Sequence, residues 1–436
     1  MSTTYLSRTP SSASNRKTWT WSAWLKRAVK SDSNNSRIFA AGTGSSDYTS
    51  WYMYAPEGTD GTLQFQNRIS GTTTSVALNR KFMDVSGWYH LVVACDTTQA
   101  TDSNRLKIYV NGVQETSFST FNPPAQNVDT YVNNNNSHTI GSADTTGYTP
   151  RYWAGSMSHI NFVDGTAYDA SAFGQIDATT GEWSIITSPN VTYGTNGYFI
   201  LKDGNSVTDQ SPNTNNWTVA GGTLTNTEDN PSNVFCTMNP LSAGSDMTFG
   251  NGNTKIRNDV GTWNSGVGTI APGTGKYYWE VYVHGGGDNN TGVTLSSAYG
   301  GNHSEVDAGR VVYSRNGYIY REGLSGQNNY DTGVTYGDTD IIGVAFDTEN
   351  GTLSFYKNGS AVSNSTTTDT SFLRSNNEYL PQCGLYNGGE FRFNFGNGYF
   401  GTTAVSSAGT NASNIGIFEY DVPTGYTALS TKGLNE

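Results

Sequence analysis

The chain has little charge, few cysteines and no long apolar run. Charged residues make up 14% of its 436 residues, against roughly 25% in an average soluble protein. Its three cysteines are far apart and form no C-x-x-C pair, which argues against a disulfide framework. No segment approaches the ~18 apolar residues of a membrane span. The residues after Met1 are polar, so we expect neither membrane insertion nor a secretory signal.

A helical stripe and a broad positive charge are also missing. Apolar residues never recur at i, i+3, i+4 and i+7 over a sustained stretch, so helix should be scarce. Twenty-four basic against 36 acidic residues leave a net charge of −12, which disfavours binding to a phosphate backbone. The one basic cluster alternates with tryptophans and is better explained as a strand; it comprises Arg16, Lys17, Lys26, Arg27 and Lys30. We therefore expect no nucleic-acid partner.

Glycine and aromatic residues are abundant instead. The chain has 51 Gly, 27 Tyr, 18 Phe and 10 Trp, which is more apolar area than disordered chains carry. Short aromatic segments alternate with Gly, Asn, Ser and Thr, as in strands joined by tight turns. We predict an all-β protein of two antiparallel β-sandwiches in series, a jelly roll and then a second sandwich, with very little helix.

The strand signals fall into two blocks. The first block covers residues 1–203 and the second covers 236–400, with a polar connecting segment at 204–235. We expect the tail, residues 401–436, to pack on a neighbour. Asn-Gly pairs, whose residues tolerate positive φ, predict hairpin turns at Asn111-Gly112, Asn316-Gly317 and Asn350-Gly351.

Each block resembles a known β-sandwich family. In the first, the segments 18–26, 87–92, 106–112 and 153–158 resemble the concanavalin A-like, laminin-G-type jelly roll. In the second, the segments 275–281, 343–359 and 380–385 resemble a SPRY domain. The pairing of the two, with the joining segment 229–241 and the closing segment 425–429, resembles virion structural proteins of marine tailed phages. In one respect the chain departs from a typical tail fibre, since we expect no separate N-terminal anchor or coiled-coil heptad before the first block.

The resemblance implies a virion protein made in the host cytoplasm that contacts other virion proteins. A homo-oligomer, a trimer by analogy with phage fibres, is expected. Three functions stay open: a tail fibre or tail-associated adhesin that binds host surface polysaccharide, a capsid decoration or head-fibre protein, and a polysaccharide depolymerase. The first two need no catalysis, and we expect a non-enzymatic protein with no required cofactor.

Catalytic patterns are weak. Jelly-roll glycosidases need two carboxylates about 5–9 Å apart, and the nearest match to their strand motif, Glu305-x-Asp307, lies in the second block. The Gly-x-Ser-x-Gly turn of one large class of serine hydrolases is absent, and no histidine pair has metalloprotease spacing. His90 and His159 lie in apolar strands and are best explained as core or edge residues.

Binding chemistry is better represented. Sugars are held by aromatic faces and planar Asn or Asp groups on rigid loops. This predicts glycan candidates at Tyr148, Tyr152, Trp153, Tyr330, Asp331, Tyr336 and Asp338. Laminin-G-like folds often carry calcium at the sandwich rim, and the resemblance implies possible ligands at Asp96, Asp102, Asn104, Asp144 and Asp164. The same residues also suit Asx turns, and the tyrosines also suit strand edges or subunit contacts.

Overall fold

The computed structural model describes residues 3–28, 36–54, 61–143, 151–202, 206–298, 309–323 and 329–435. The chain divides into two compact units, residues 1–226 and 227–436. Within the described ranges strands dominate, and α1 (Asp102–Arg105) is the one α-helix. None of the helices in these ranges is long and apolar enough to cross a membrane.

The first unit contains sixteen strands: β1 (Tyr5–Arg8), β2 (Thr18–Arg27), β3 (Arg37–Gly44), β4 (Asp47–Tyr54), β5 (Thr62–Ile69), β6 (Thr72–Leu78), β7 (Tyr89–Asp96), β8 (Leu106–Val110), β9 (Val113–Gln114), β10 (Phe118–Asn122), β11 (His138–Ile140), β12 (Gly155–Asp164), β13 (Gly174–Ile176), β14 (Trp183–Ile185), β15 (Tyr198–Ile200) and β16 (Thr218–Gly221). An eight-stranded sheet has the order β10-β6-β5-β4-β3-β11-β1-β16. A six-stranded sheet has the order β15-β12-β2-β7-β8-β9, and β13 and β14 form a separate hairpin.

Aromatic side chains fill the space between these two sheets. Trp19 and Trp21 of β2 are fully buried, and strand alternation points both rings to the same side of the sheet. Trp51 of β4 stacks on Phe39 with ring centroids 4.3 Å apart. Trp21 meets Trp51 edge-on at 5.3 Å, so the two sheets are joined by interlocked rings.

The second unit contains strands β17 (Met238–Ala243), β18 (Met247–Gly250), β19 (Lys255–Asn258), β20 (Asn264–Gly268), β21 (Lys276–His284), β22 (Asn289–Leu295), β23 (Arg310–Ser314), β24 (Tyr318–Glu322), β25 (Tyr330–Asp331), β26 (Ile341–Asp347), β27 (Thr352–Lys357), β28 (Ser360–Ala361), β29 (Thr367–Thr368), β30 (Tyr379–Leu385), β31 (Gly389–Asn394), β32 (Tyr399–Phe400), β33 (Thr403–Ala404) and β34 (Thr427–Ala428). A seven-stranded sheet has the order β17-β20-β30-β22-β23-β24-β25. A nine-stranded sheet follows β18-β19-β31-β21-β26-β27-β28, with β29 on β27 and β34 on β21. The all-β, two-sandwich prediction is confirmed.

The predicted Asn-Gly hairpins are also present. Gly112 has φ +81° between β8 and β9, Gly317 has φ +95° between β23 and β24, and Gly351 has φ +66° between β26 and β27. Each glycine thus adopts the left-handed conformation that such a turn requires.

The boundaries differ from the predicted division. The first unit extends to Asn226, because β16 pairs with β1 and Trp217 is buried in the first core. Much of the predicted connecting segment is therefore part of the first sandwich. The predicted tail belongs to the second unit itself: β34 pairs in parallel with β21, and Phe418 is fully buried there. The polar sequence of these segments did not predict such contacts, because single buried residues, Trp217 and Phe418, make them.

Candidate functional site

The eight-stranded sheet has an outer face whose side chains point away from the core. On β4, Trp51 and Met53 point inward, so Tyr52 and Tyr54 point outward by strand alternation. On β5, Leu63 and Phe65 point inward, which places Gln64 and Gln66 on the same outer face. The outer face is therefore built from tyrosines and side-chain amides.

Strand register aligns these side chains in rows across the sheet. Tyr52 lies opposite Gln64, and Gln64 lies opposite Ala77. A second row runs from β4 to β10, in the order Ser50, Gln66, Ser75 and Asn122. Neighbouring members of a row are about one strand spacing, ~4.8 Å, apart. The rows therefore present hydrogen-bonding groups at regular intervals.

Tyrosine hydroxyls orient the two glutamines. Tyr52 Oη donates to Gln64 Oε1 at 2.7 Å, and Tyr48 Oη donates to Gln66 Oε1 at 3.0 Å. Burial raises the pKa of Tyr52 to about 12, partly opposed by the positive charges of Arg37 and Arg151. Tyr52 therefore keeps its proton at neutral pH and remains a donor, which fixes the plane of the neighbouring amide.

Arg37 reinforces the covered side of this face. Its guanidinium carbon lies 3.7 Å from the centroid of the Tyr52 ring, a cation–π contact. Its Nη1 donates to Ser50 Oγ at 2.9 Å. Arg37, Ser50 and Tyr52 are all buried. This side of the face is thus a rigid support and not an open surface.

The remaining side of the face is accessible. Gln64, Gln66 and Ser75 are half-buried, whereas Thr120 and Asn122 are exposed. We call these five residues the amide face. Tyr54, 40% exposed, lies on the same side of β4 as Tyr52, with the two ring centroids 6.4 Å apart. Carboxamides and hydroxyls on a flat sheet, next to an aromatic ring, can exchange hydrogen bonds with a polyhydroxylated ligand.

Acid–base groups are scarce on this sheet. Within its described strands, Asp47 at the start of β4 is the only carboxylate. A backbone hydrogen bond from Ser70 N and a side-chain one from Tyr131 Oη lower the pKa of Asp47. A carboxylate with a lowered pKa stays ionised at neutral pH, so Asp47 is a hydrogen-bond acceptor there and not a proton donor.

The predicted glycan residues of the first unit have different positions. Tyr148 lies outside the described residues. Tyr152 is half-buried with its ring 6.0 Å from that of Tyr5 on β1, so it lies against the outer face near the far edge of the same sheet. Trp153 is 6% exposed and packs in the core, so its ring is unavailable to a ligand.

The four candidates of the second unit do not converge. Tyr330 and Asp331 are exposed neighbours on β25, so their side chains point to opposite faces of the strand. Asp338 is exposed in a loop. Tyr336 is a core residue instead: it is 4% exposed, and its hydroxyl donates to Asn289 O and Tyr313 O at 3.1 Å each. Loop aromatics that fold inward cannot be distinguished from exposed ones by sequence.

The possible calcium ligands are also separate. Asp144 lies outside the described residues, Asn104 is exposed in α1, and Asp102 forms an ion pair with Arg105. Asp96 accepts hydrogen bonds from Thr98 and Gln99, which lower its pKa although desolvation acts in the opposite direction. Within the described ranges, no group of three or more His, Cys, Asp or Glu side chains could hold a metal ion. Calcium binding stays a prediction.

Asp164 is satisfied by amides. It is 6% exposed, and its Oδ1 accepts from Asn133 Nδ2 at 2.5 Å and from Asn15 N at 3.2 Å. Its Oδ2 accepts from Asn196 N at 3.0 Å. Three donors from three loops compensate the buried charge. The carboxylate therefore ties loops together in the structure.

A buried Ser–His pair was not singled out by sequence. Ser22 Oγ lies 2.9 Å from His90 Nε2, and Trp183 Nε1 donates to His90 Nδ1 at 2.9 Å. An indole N–H only donates, so neutral His90 accepts at Nδ1 and carries its proton on Nε2. His90 then donates to Ser22, which is the reverse of what a general base does. Burial lowers the pKa of His90 to about 3, so the pair is structural.

Trp183 also closes the hairpin onto the six-stranded sheet. A Cβ built on Gly112 or on Gly174 would lie 2.5 Å from its ring. The Trp183 ring lies nearly parallel to the His90 ring. The His90 ring in turn stacks on Trp24, with ring centroids 4.9 Å apart. The two glycines thus make room for the indole. The partial glycosidase motif Glu305-x-Asp307 lies outside the described residues.

Comparison with known proteins identifies both domain types. Residues 2–171 match the family model of the concanavalin A-like lectin/glucanases superfamily, and residues 276–398 match the SPRY domain. The chain is thus built from two β-sandwich binding modules. No curated protein matches the chain.

Parts of the chain are also similar to solved structures. The SPRY domain of human HERC1 is 20% identical, with 36% of this chain and 96% of that chain covered and a TM-score of 0.28. The heptameric SAP-like pentraxin from Limulus polyphemus is 18% identical, with 38% and 72% covered and a TM-score of 0.27. The TRIM65 PSpry domain is 12% identical, with 36% and 91% covered and a TM-score of 0.28.

Proposed function

We propose that the protein is a non-enzymatic carbohydrate-binding protein of a phage virion, a tail fibre or tail-associated adhesin that attaches to host surface glycan. The amide face carries this proposal. It combines oriented glutamine amides, hydroxyls and an adjacent exposed tyrosine on a rigid sheet. Sugars offer alternating hydroxyl donors and acceptors above an apolar ring face, and these groups match that set.

The virion setting depends on the resemblance of the domain pairing to marine tailed-phage structural proteins. Many copies on one particle would add avidity to weak single sites, which suits a small, flat binding face. A homotrimer that contacts other virion proteins is part of this proposal. A capsid decoration protein would use the same sandwiches without glycan binding. The partial glycosidase motif weighed for a depolymerase, Glu305-x-Asp307, lies outside the described ranges.

The binding test uses the full chain and purified host surface polysaccharide. Gln66→Ala and Gln64→Ala should each weaken binding about 5-fold, since one lost hydrogen bond is worth about 1 kcal/mol. Gln175→Ala, an exposed glutamine on the β13–β14 hairpin, is the matched control and should leave affinity unchanged. Failure of the wild type to bind any host glycan would contradict the proposal.

The location test separates the remaining functions. Cryo-EM of purified particles should show the protein on the tail. Density distributed over the capsid would instead favour the decoration protein. New reducing ends after incubation with host polysaccharide would identify a depolymerase and overturn the non-enzymatic assignment.

A further inference from the structure

A buried glutamate on β21 holds the C-terminal part of the second unit. Trp279 and Val281 point into the core, so Glu280 between them points to the outer face of the nine-stranded sheet. Glu280 is fully buried there. The C-terminal residues lie over this face: Phe418 meets the ring of Tyr278 edge-on at 5.2 Å, and both belong to a small apolar cluster with Val422.

The carboxylate is bound by backbone groups of that covering segment. Its Oε2 accepts from Glu419 N at 2.8 Å, and its Oε1 accepts from Tyr420 N at 2.9 Å. Asn394 Nδ2 donates to Oε2 at 3.2 Å and also to Ile417 O at 2.9 Å. Two consecutive amides of one loop therefore converge on a single side chain. We call residues 405–422 the C-terminal loop.

The surroundings supply no cation to this carboxylate. Among the described residues, Glu280 forms no ion pair. Arg392, two residues before Asn394 on β31, is paired with Glu390. The other titratable groups nearby are anionic or neutral; they are Tyr278 on the same strand, Tyr356 on β27, and Glu419 and Tyr420 on the C-terminal loop. A charge on Glu280 is thus opposed by burial and supported only by dipoles.

We propose that Glu280 is a proton-sensitive latch, which holds the C-terminal loop closed in its protonated form and releases it more readily once ionised. Desolvation raises the pKa of Glu280 to about 7, although hydrogen bonds from Glu419, Tyr420 and Asn394 act in the opposite direction. In an open loop the carboxyl would have an ordinary pKa of about 4.3. Between these two values the closed form binds one more proton, so closure weakens as the pH rises towards 7 and is constant above it.

Hydrogen exchange at the amides of Glu419 and Tyr420 measures the latch directly. After correction for intrinsic exchange, their protection in the wild type should fall roughly 40-fold between pH 5 and pH 7. The slope approaches tenfold per pH unit only between the two pKa values and flattens near each of them. Glu280→Gln removes the titration and should give protection independent of pH. Glu419→Gln should keep the slope and shows that the neighbouring carboxylate is not its source.

A spectroscopic measurement keeps the test independent of the variant's folding. In wild-type protein with 13C-labelled glutamate carboxyls, one resonance should titrate near pH 7, separate from the exposed glutamates. Constant protection in the wild type, or carboxyl resonances that all titrate below pH 5.5, would overturn the latch. The proposal concerns the second unit and does not depend on glycan binding.

Discussion

Trp183 packs the β13–β14 hairpin against the six-stranded sheet of the first unit, and its replacement measures how much this contact stabilises the fold. A fully covered tryptophan buries roughly 150–250 Å², and Trp183 is half-buried. Its removal therefore forfeits about 100 Å² of contact, or about 2.5 kcal/mol. Trp183→Ala also leaves buried His90 Nδ1 without its donor, which adds about 1–3 kcal/mol. We expect a total loss of about 4 kcal/mol in the free energy of unfolding.

Trp183→Phe separates the two contributions. Phenylalanine keeps most of the ring area but has no N–H, so we expect a loss of about 2 kcal/mol. Urea denaturation followed by far-UV circular dichroism at pH 7.5 gives both values, with Gln175→Ala on the same hairpin as the control. A phenylalanine variant as stable as the wild type would show that the hydrogen bond contributes nothing. An alanine variant within about 0.5 kcal/mol of the wild type would refute the packing argument as well.

Three further predictions concern the first unit. Burial lowers the pKa of His90 to about 3, so the folded state loses about 1.4 kcal/mol of stability per pH unit as the pH falls from about 6.5, the ordinary value of histidine, to about 3. His90→Gln should flatten this part of the pH–stability curve, and an unchanged slope would argue against it. Asp164→Ala leaves the donors that converge on the carboxylate without an acceptor and should lower the free energy of unfolding by about 3 kcal/mol, measured by urea denaturation. Asp164→Asn keeps one acceptor and should lower it less; equal losses would contradict this account. If the predicted calcium site exists, the wild type should unfold at a higher temperature in millimolar calcium than in EDTA, and Asp102→Ala should remove this difference. Equal midpoints of thermal unfolding in the wild type would count against the site.

Local patterns predicted the strands well. Trp19 and Trp21 alternate with small polar residues over β2, and the Asn-Gly pairs fix turns within a few residues, so both features are readable from adjacent positions. The boundaries of the two units could not be predicted as well from the sequence. Trp217 and Phe418 are single apolar anchors in polar stretches, and nothing near them in sequence shows which sheet they reach.

The amide face was readable in part. Tyr48, Ser50 and Tyr52 alternate with core residues, as do Gln64 and Gln66, so their common side could have been predicted from period 2 alone. Their alignment with Asn122 could not, because it depends on the pairing register of strands far apart in sequence. The same limit hid the structural role of Asp164, which the sequence suggested only as a calcium ligand and whose donors come from 31 to 149 residues away.

The pairing of β1 with β16 has a consequence for how such proteins can be assembled. Tyr5 lies opposite Gly221, so the first sandwich begins and ends on adjacent strands. The second sandwich does the same, since Phe235 forms a bridge with Ser430. A module with neighbouring ends can be excised, duplicated, circularly permuted or inserted into a loop of another protein without a long linker. Either sandwich can therefore be transferred to another chain as an intact unit.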